Sequence, residues 1–153
     1  MTDPDQPVIR PATEEDLPAI VAMLADDPLG ATRESPDDLT PYLKAFRRLA
    51  DDPHQHVVVA ARGDRVVGTL QLTIVPGLSR KGATRSIIEG VRVHADERGG
   101  GLGTRFIQWA IDRSRREHCQ LVQLTSDMTR GDAHRFYERL GFTASHVGFK
   151  LSL

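Results

Sequence analysis

Apolar positions along this chain recur first at helical and then at strand spacing. After a short apolar run from Val8 to Arg10, closed by Pro11, the residues Leu17, Ile20, Val21 and Leu24 fall three and four apart. That is the spacing of a helix with one buried stripe. Thr13 supplies its N-cap and Glu14, Glu15 and Asp16 an acidic first turn, while Pro18 lies deep enough to bend it. A second helix is predicted from "SPDD", with Ser35 as cap, Pro36 at the first helical position and Leu39, Tyr42, Leu43, Phe46 and Leu49 along its apolar face. Pro41 falls inside that helix and weakens it. The period then changes to two. "HVVVAARGDRVVGTLQLTIV" reads as two strands around a tight Gly-Asp turn, and after a polar loop from Pro76 to Lys81 "ATRSIIEGVRVH" reads as a third long strand with a bulge at Gly90. Leu102, Phe106, Trp109, Ala110 and Arg113 restore the helical period over 102–116, with the stem of Arg113 closing an otherwise apolar face. "CQLVQLTS" is a near-continuous apolar strand, "RGDAHRFYERL" a helix stopped by Gly141, and "FTASHVGFKLSL" a closing strand or hairpin. The pattern predicts an α/β fold: a mixed, mostly antiparallel central sheet of roughly six to seven strands flanked by about four helices.

Composition narrows the class of partner. The length of 153 residues suits one domain, here expected over 7–153 behind a disordered, Pro-rich terminus at 1–6. No apolar run approaches the roughly 18 residues of a membrane span, and "MTDPDQPVIRPAT" has neither the basic flank nor the apolar stretch of a leader peptide. Twenty Lys and Arg against twenty-one Asp and Glu leave a net charge of -1, which offers no bulk field to nucleic acid or to an anionic membrane. A small-molecule partner is the expectation. Cys119 is the single cysteine, as expected of a reducing, cytoplasmic setting.

The candidate chemistry begins at "ERGGGLGT", residues 97 to 104, between the third long strand and the helix over 102–116. A glycine-rich turn at a helix start presents unpaired N–H groups at the positive end of the helix dipole and so makes a seat for phosphate. The P-loop pattern is absent, since no Gly-Lys-Ser/Thr occurs, and the dinucleotide fingerprint fails because Thr104 and Phe106 stand where its third glycine would be. What is left is R-x-x-G-x-G, carried by Arg98, Gly101 and Gly103. Together with the bulged strand before it and "AHRFYERLGF" after it, this turn resembles the GNAT superfamily of acyl-CoA-dependent N-acyltransferases, a resemblance that spans nearly the whole chain. It implies a splayed, bulged central strand, acetyl-CoA as co-substrate and no metal. Val91, Arg92 and Val93 would then lie along the pantetheine arm, and Arg98, Gly99, Gly100, Gly101, Leu102, Gly103 and Thr104 would surround the pyrophosphate. The plainer alternative is a tight strand-to-helix turn with a solvated arginine.

By the same resemblance Tyr137 would protonate the departing thiolate, a role for which a phenol is suited; otherwise it is a helix-face aromatic packed on the sheet. Glu89 precedes the bulge where many relatives carry the base that takes the amine's proton. A carboxylate buried in a sheet would be costly without a purpose, yet Arg85 and Arg92 are near enough to pair with it, so base and structural ion pair both stand. His134 either contacts the cofactor or Tyr137, or is an exposed helix histidine. Arg130 occupies a position where many relatives have an Asn touching the thiol end, and Ser126 with Asp127 could supply that polar contact instead. "HQH" at 54 to 56 alternates like a metal pair but lacks a third ligand. Arg33, Arg85 and His146 belong to the segments expected to line the acceptor cleft, with Asp27, Glu34, Arg80 and Lys81 nearby. Such a mixture suits an acceptor bearing an amine and an acid, and the tail is similar to that of aminoalkylphosphonate N-acetyltransferases. An acyl-CoA sensor without turnover and an acetyltransferase of protein amines are the rival readings, and the resemblance leaves a homodimer open.

Overall fold

Strand β1 (Val8–Pro11) opens the computed structural model, which describes residues 5–153. Of the terminus expected to be disordered, residues 1–4 lie outside the described residues, while Asp5 and Gln6 sit exposed in a turn whose Asp5 carbonyl accepts from the Arg62 guanidinium. The chain divides into two compact units, the first closing at Gln123 and the second running from Leu124 to Leu153.

In the first unit, β1 passes through a 3-10 turn at Glu14–Asp16 into helix α1 (Leu17–Ala25). Asp16 explains the start. Its Oδ2 accepts from the Thr13 N–H at 2.8 Å, and its two oxygens take the Arg10 guanidinium at 2.7 and 3.0 Å, so one buried carboxylate both caps the turn and ties it to β1. Because that turn absorbs the acidic residues, Pro18 falls in the first turn of α1, where its missing N–H costs nothing. A single helical turn, α2 (Gly30–Arg33), was not foreseen. The next helix, α3 (Thr40–Ala50), begins at Thr40 rather than at Ser35, because Pro41 is tolerated only in a first turn and therefore marks the start. Ser35 and Asp38 close a separate turn, with the Asp38 N–H on the Ser35 carbonyl at 3.1 Å.

β2 (Gln55–Arg62) and β3 (Arg65–Val75) form the predicted hairpin around Gly63 and Asp64. After α4 (Ser79–Gly82), a single turn in which Arg80 and Lys81 take left-handed φ of 55° and 62°, β4 (Arg85–Val93) returns antiparallel to β3. Helix α5 (Leu102–Arg116) follows with the predicted boundaries, and then β5 (Leu121–Leu124). The sheet order is β1-β2-β3-β4-β5. Val59, Val67, Leu70 and Leu72 of the hairpin and Phe106, Ile107 and Ala110 of α5 are fully buried. Burying one such side chain contributes about 1.5 to 3 kcal/mol, so this layer dominates the unit's stability. One polar pair lies within the core. The Ser114 hydroxyl donates to the Ala110 carbonyl at 2.7 Å, so its contact with Ser86 Oγ, also 2.7 Å, has Ser86 as donor and ties β4 to α5.

The second unit holds α6 (Gly131–Arg139) and an extended tail. Residues 142–153 belong to no helix or strand. The expected closing strand is therefore missing, and the described residues carry five strands and six helices rather than six to seven strands and about four helices. Two of the six are the single turns α2 and α4. No helix among the described residues is long and apolar enough to cross a membrane.

Candidate active site

β4 carries an extra residue at the predicted place. Glu89 faces Gln71 and Arg92 faces Thr69, so three steps on β4 match two on β3, and Gly90 with φ 61° absorbs the difference. β5 is short beside it. The Gln120 N–H bonds the Thr84 carbonyl at 2.8 Å, which sets the two strands off together, but β5 has four residues against nine in β4. Past the bulge, Val91, Arg92 and Val93 are half-buried and have outrun β5. Their carbonyls are not idle: Val91 accepts from the Arg92 guanidinium at 2.9 Å and Val93 from Arg98 Nε at 3.3 Å, each keeping a second lone pair.

The glycine turn follows a 3-10 turn at Ala95–Glu97. Gly99 and Gly101 both hold φ 83°, open only to glycine at small cost, and α5 starts at once after Gly101 with no side chain capping it. Among the described residues no acceptor meets the N–H groups of Gly101, Leu102, Gly103 and Thr104. The glycines themselves are solvent-exposed apart from half-buried Gly103. The N–H groups converge at the positive end of a helix of 15 residues. Acidic neighbours would spoil such a place for an anion, and two are present. Both are neutralised: Arg62 grips Glu97 with two bonds of 3.0 Å, and Arg65 holds Asp96 at 2.6 Å, each contact keeping its carboxyl below the usual carboxylate range. Arg62 and Arg65 were missed in the sequence, although two arginines bracketing a hairpin turn, with an acid pair elsewhere to receive them, are a readable signal. Arg98 is exposed and loosely placed, 3.7 Å from Asp26.

Two expectations about β4 need correction. Glu89, next to the Gly90 bulge, is exposed rather than buried, and among the described residues it pairs with neither Arg85 nor Arg92. Arg92 instead reaches Asp27 at 3.0 Å, in the loop after α1. Arg33, Arg80, Lys81 and Arg85 are exposed and form no ion pair among the described residues. The "HQH" histidines separate: His54 stands 3.6 Å from Asp52 and His56 3.7 Å from Glu117. His56 lines a cavity of about 260 Å³ with Phe46, Trp109 and Arg113. Burial there, with Arg113 alongside, pushes its imidazole below the usual range. This cavity shares no residue with the β4–α5 junction.

In the second unit, Tyr137 lies near the end of α6 with its ring edge-on to Phe136 at 5.2 Å and to Phe142 at 5.9 Å. The helix end explains both. Gly141, at φ 97°, donates to the Glu138 carbonyl at 3.0 Å and Phe142 to the Tyr137 carbonyl at 3.1 Å, which is a Schellman closure with its apolar contact between Tyr137 and Phe142. "YERLGF" is thus first a helix stop that fixes a tyrosine ring. His134 is half-buried, and its Nε2 bonds the Asp127 carbonyl at 2.8 Å. Arg130 is exposed at the N-cap, its N–H on that same carbonyl at 3.1 Å, so both residues brace the loop before α6. Ser126 is half-buried, and His146 is exposed with its Nδ1 beside Ser145 Oγ at 2.6 Å.

Comparison with known proteins bears out the resemblance to the GNAT superfamily. Residues 17–142 match the model of the acetyltransferase (GNAT) family. The chain is 30% identical over 145 residues to an aminoalkylphosphonate N-acetyltransferase of Salmonella typhimurium, covering 95% of this chain and 90% of that one. It is 37% identical over 89 residues to a glucosamine 6-phosphate N-acetyltransferase of Trypanosoma brucei brucei, covering 58% of each. Among solved structures it is similar to one from Bacillus halodurans C-125 described as a transcriptional regulator, with a TM-score of 0.93 and 46% identity over 96% of this chain and 99% of that one.

Proposed function

The chain belongs to the acetyltransferase (GNAT) family, and on that premise we propose that residues 7–153 act as one domain moving the acetyl group of acetyl-CoA to the primary amine of a small molecule. The observation that carries this reading is the set of unpartnered N–H groups from Gly101 to Thr104 heading α5. A diphosphate fits there: Cβ atoms are absent where an anion must meet backbone, space is open around Gly99 and Gly101, and the adjacent carboxylates are already paired. Arg98 adds countercharge, and the stretch Val91–Val93 beyond the bulge lies along the pantetheine arm. Ser126, Arg130 and His134 serve the thiol side.

In the proposed reaction the amine nitrogen attacks the thioester carbonyl, the C–S bond breaks, and amide and thiol form. Glu89, exposed and without an ion pair among the described residues, takes the proton lost by the amine. Tyr137 gives one to the leaving sulfur. The acceptor is an amine that also carries an anionic group. Arg33, Arg80, Lys81 and Arg85, without ion-pair partners among the described residues, supply cations for it, with His146 as a further contact, and two of the curated relatives are named for amines bearing a phosphonate or a phosphate. Free acetyl-CoA as donor and a lone, half-buried Cys119 fit a cytoplasmic setting.

The description of the Bacillus halodurans structure favours a second reading, an acyl-CoA sensor that binds without turnover. The net charge of -1 gives such a sensor no field for direct contact with nucleic acid. Thiol release separates the two. With acetyl-CoA and a panel of amino acids, aminophosphonates, amino sugar phosphates and polyamines, free thiol is expected above the hydrolytic background, with highest kcat/KM for an anionic amine. A rise in melting temperature with acetyl-CoA but no thiol release from any amine would overturn the catalytic reading; preference for polycations would overturn the acceptor class.

A further inference from the structure

The cavity beside β2 has no part in the proposed reaction. β1 stops at Pro11, opposite Val58, and helices α3 and α5 both reach the stretch of β2 that precedes Val58. Trp109 and Arg113 stand one turn apart on α5, Phe46 and Leu49 one turn apart on α3, and His56 and Val58 alternate onto one face of β2. Together they line about 260 Å³ inside the first unit. Among these side chains His56 and Arg113 are polar, and both are incompletely satisfied: His56 Nε2 and Arg113 Nε are buried without a hydrogen-bond partner among the described residues. Such atoms cost free energy until something bonds them. Charge, in contrast, is already balanced. Glu117 takes Arg113 Nη2 at 2.9 Å, while burial, and next the Arg113 charge, hold His56 below its usual range and so in its neutral form.

We propose that this cavity is a second ligand site, taking a neutral single-ring molecule that carries a hydroxyl group. A hydroxyl oxygen answers both unmet nitrogens at once: it accepts from Arg113 Nε–H and donates to the Nε2 lone pair of His56 in the tautomer with its proton on Nδ1. Neither side chain is locked in place. His56 is 18% and Arg113 35% exposed, so a small turn of each brings its nitrogen to the guest. An anion fits badly, because Glu117 Oε1 lies 3.7 Å from the same His56 Nε2, and a cation would face the Arg113 guanidinium. Trp109 and Phe46 offer aromatic surface to the body of the guest. Pockets for drug-sized molecules run from about 300 Å³ upward, so a volume of about 260 Å³ suits one ring rather than several.

Trp109 is the single tryptophan, so its fluorescence reports on this cavity directly. Titrating the full chain with p-cresol or cyclohexanol is expected to change that fluorescence saturably, with a Kd on the order of 1 mM. Toluene, which lacks the hydroxyl, and benzoate, which adds a charge, are expected to bind about tenfold more weakly or worse. His56→Phe and Arg113→Met each keep side-chain bulk and delete one partner of the hydroxyl, so each is expected to raise the cyclohexanol Kd about tenfold. Leu49→Phe keeps both partners and fills space instead, with a similar loss expected for both alcohols, and it decides alone if either polar variant fails to fold. No saturable response to either alcohol overturns the proposal, since the cavity then holds only water. Toluene binding as well as p-cresol marks a merely apolar crevice, tighter binding of benzoate marks an anion site, and an unchanged Kd in every folded variant places the guest elsewhere; each of these also overturns it. The readout involves neither acetyl-CoA nor an amine, so failure here leaves the proposed acetyl transfer standing.

Discussion

Helix α5 begins and helix α6 ends on a glycine in the left-handed region, Gly101 at φ 83° and Gly141 at φ 97°, and a Cβ at either would meet nothing within 4 Å. The local backbone device is the same, but the state of the hydrogen bonds around it is opposite. At the end of α6 the orphan carbonyls of Tyr137 and Glu138 are taken up by Phe142 and Gly141, and the Tyr137 and Phe142 rings seal the closure. At the start of α5 the N–H groups of Gly101 to Thr104 have no acceptor among the described residues. An exposed helix start left open is met by water or by an anion, and here the glycines leave room for the anion. The closed end is punctuation, and the open end is the seat proposed for the diphosphate. Glycine content alone does not separate them; the fate of the adjacent N–H and carbonyl groups does.

The largest expected effect tests whether the closed end also carries chemistry. Tyr137→Phe keeps the ring between Phe136 and Phe142, and hence the Schellman contact, while deleting the phenol oxygen. If the phenol is the acid, kcat falls about a hundredfold or more while the KM for acetyl-CoA stays within about twofold, as steady-state kinetics would show. Equal losses in both would reduce α6 to a structural stop. A helix start that is fully closed gives the next test. Asp16 caps the turn before α1 and binds Arg10 through two bonds, so Asp16→Asn is expected to cost about 2 kcal/mol in urea unfolding at pH 7. The bond to Arg10, and then those to Thr13, hold the Asp16 carboxyl below its ordinary range. Its folded pKa is thus lower than its unfolded value of about 4. The charge contribution is therefore fully present above pH 4 (~) and disappears as pH falls through the lower folded value. The gap between wild type and variant should be constant from about pH 5 to 7 and narrow below about pH 4. A gap that widens in acid would contradict the assignment.

What could be read from the sequence follows the range of the interactions concerned. The hairpin, the boundaries of α5, the bulge at Gly90 and the stop at Gly141 were legible because each is decided by a few adjacent residues. The glycine turn was legible because its neighbours on both sides declare a strand and a helix. The start of α3 was misplaced because two prolines competed and only their position in the first turn decides between them. Glu89 was expected to be buried because a place in a central strand suggests cover on both faces, and alternation alone does not say which face the rest of the chain leaves open. Arg62 and Arg65 bracket a turn that the sequence does show, but their pairing with Glu97 and Asp96 spans more than thirty residues and appears only once the fold brings the hairpin end to the glycine turn. The tail was expected to be a closing strand or hairpin, but residues 142–153 form neither, because an apolar alternation specifies a strand only where a sheet edge is there to pair with it.

The smallest expected effect is also the most direct test of the comparison between the two helix ends. Gly101→Ala and Gly141→Ala each force a methyl-bearing residue into the left-handed region with open space around it, so each is expected to cost about 1 kcal/mol, partly offset by a stiffer unfolded chain. For a chain of this size that is a fall in Tm of about 3 °C, nearly equal for the two variants by calorimetry. Their stabilities should match and their ligand responses should not. A methyl group at Gly101 stands among the open N–H groups, so the Kd for acetyl-CoA should rise about tenfold by titration calorimetry, or about 1.4 kcal/mol. At Gly141, where the N–H groups of Leu140, Gly141 and Phe142 are already bonded within the helix end, the Kd should not move. If both variants weaken acetyl-CoA alike, the loss is one of general stability and the start of α5 is no more a binding site than the end of α6. If Gly101→Ala alone does so at matched Tm, the unmet N–H groups are what the ligand requires.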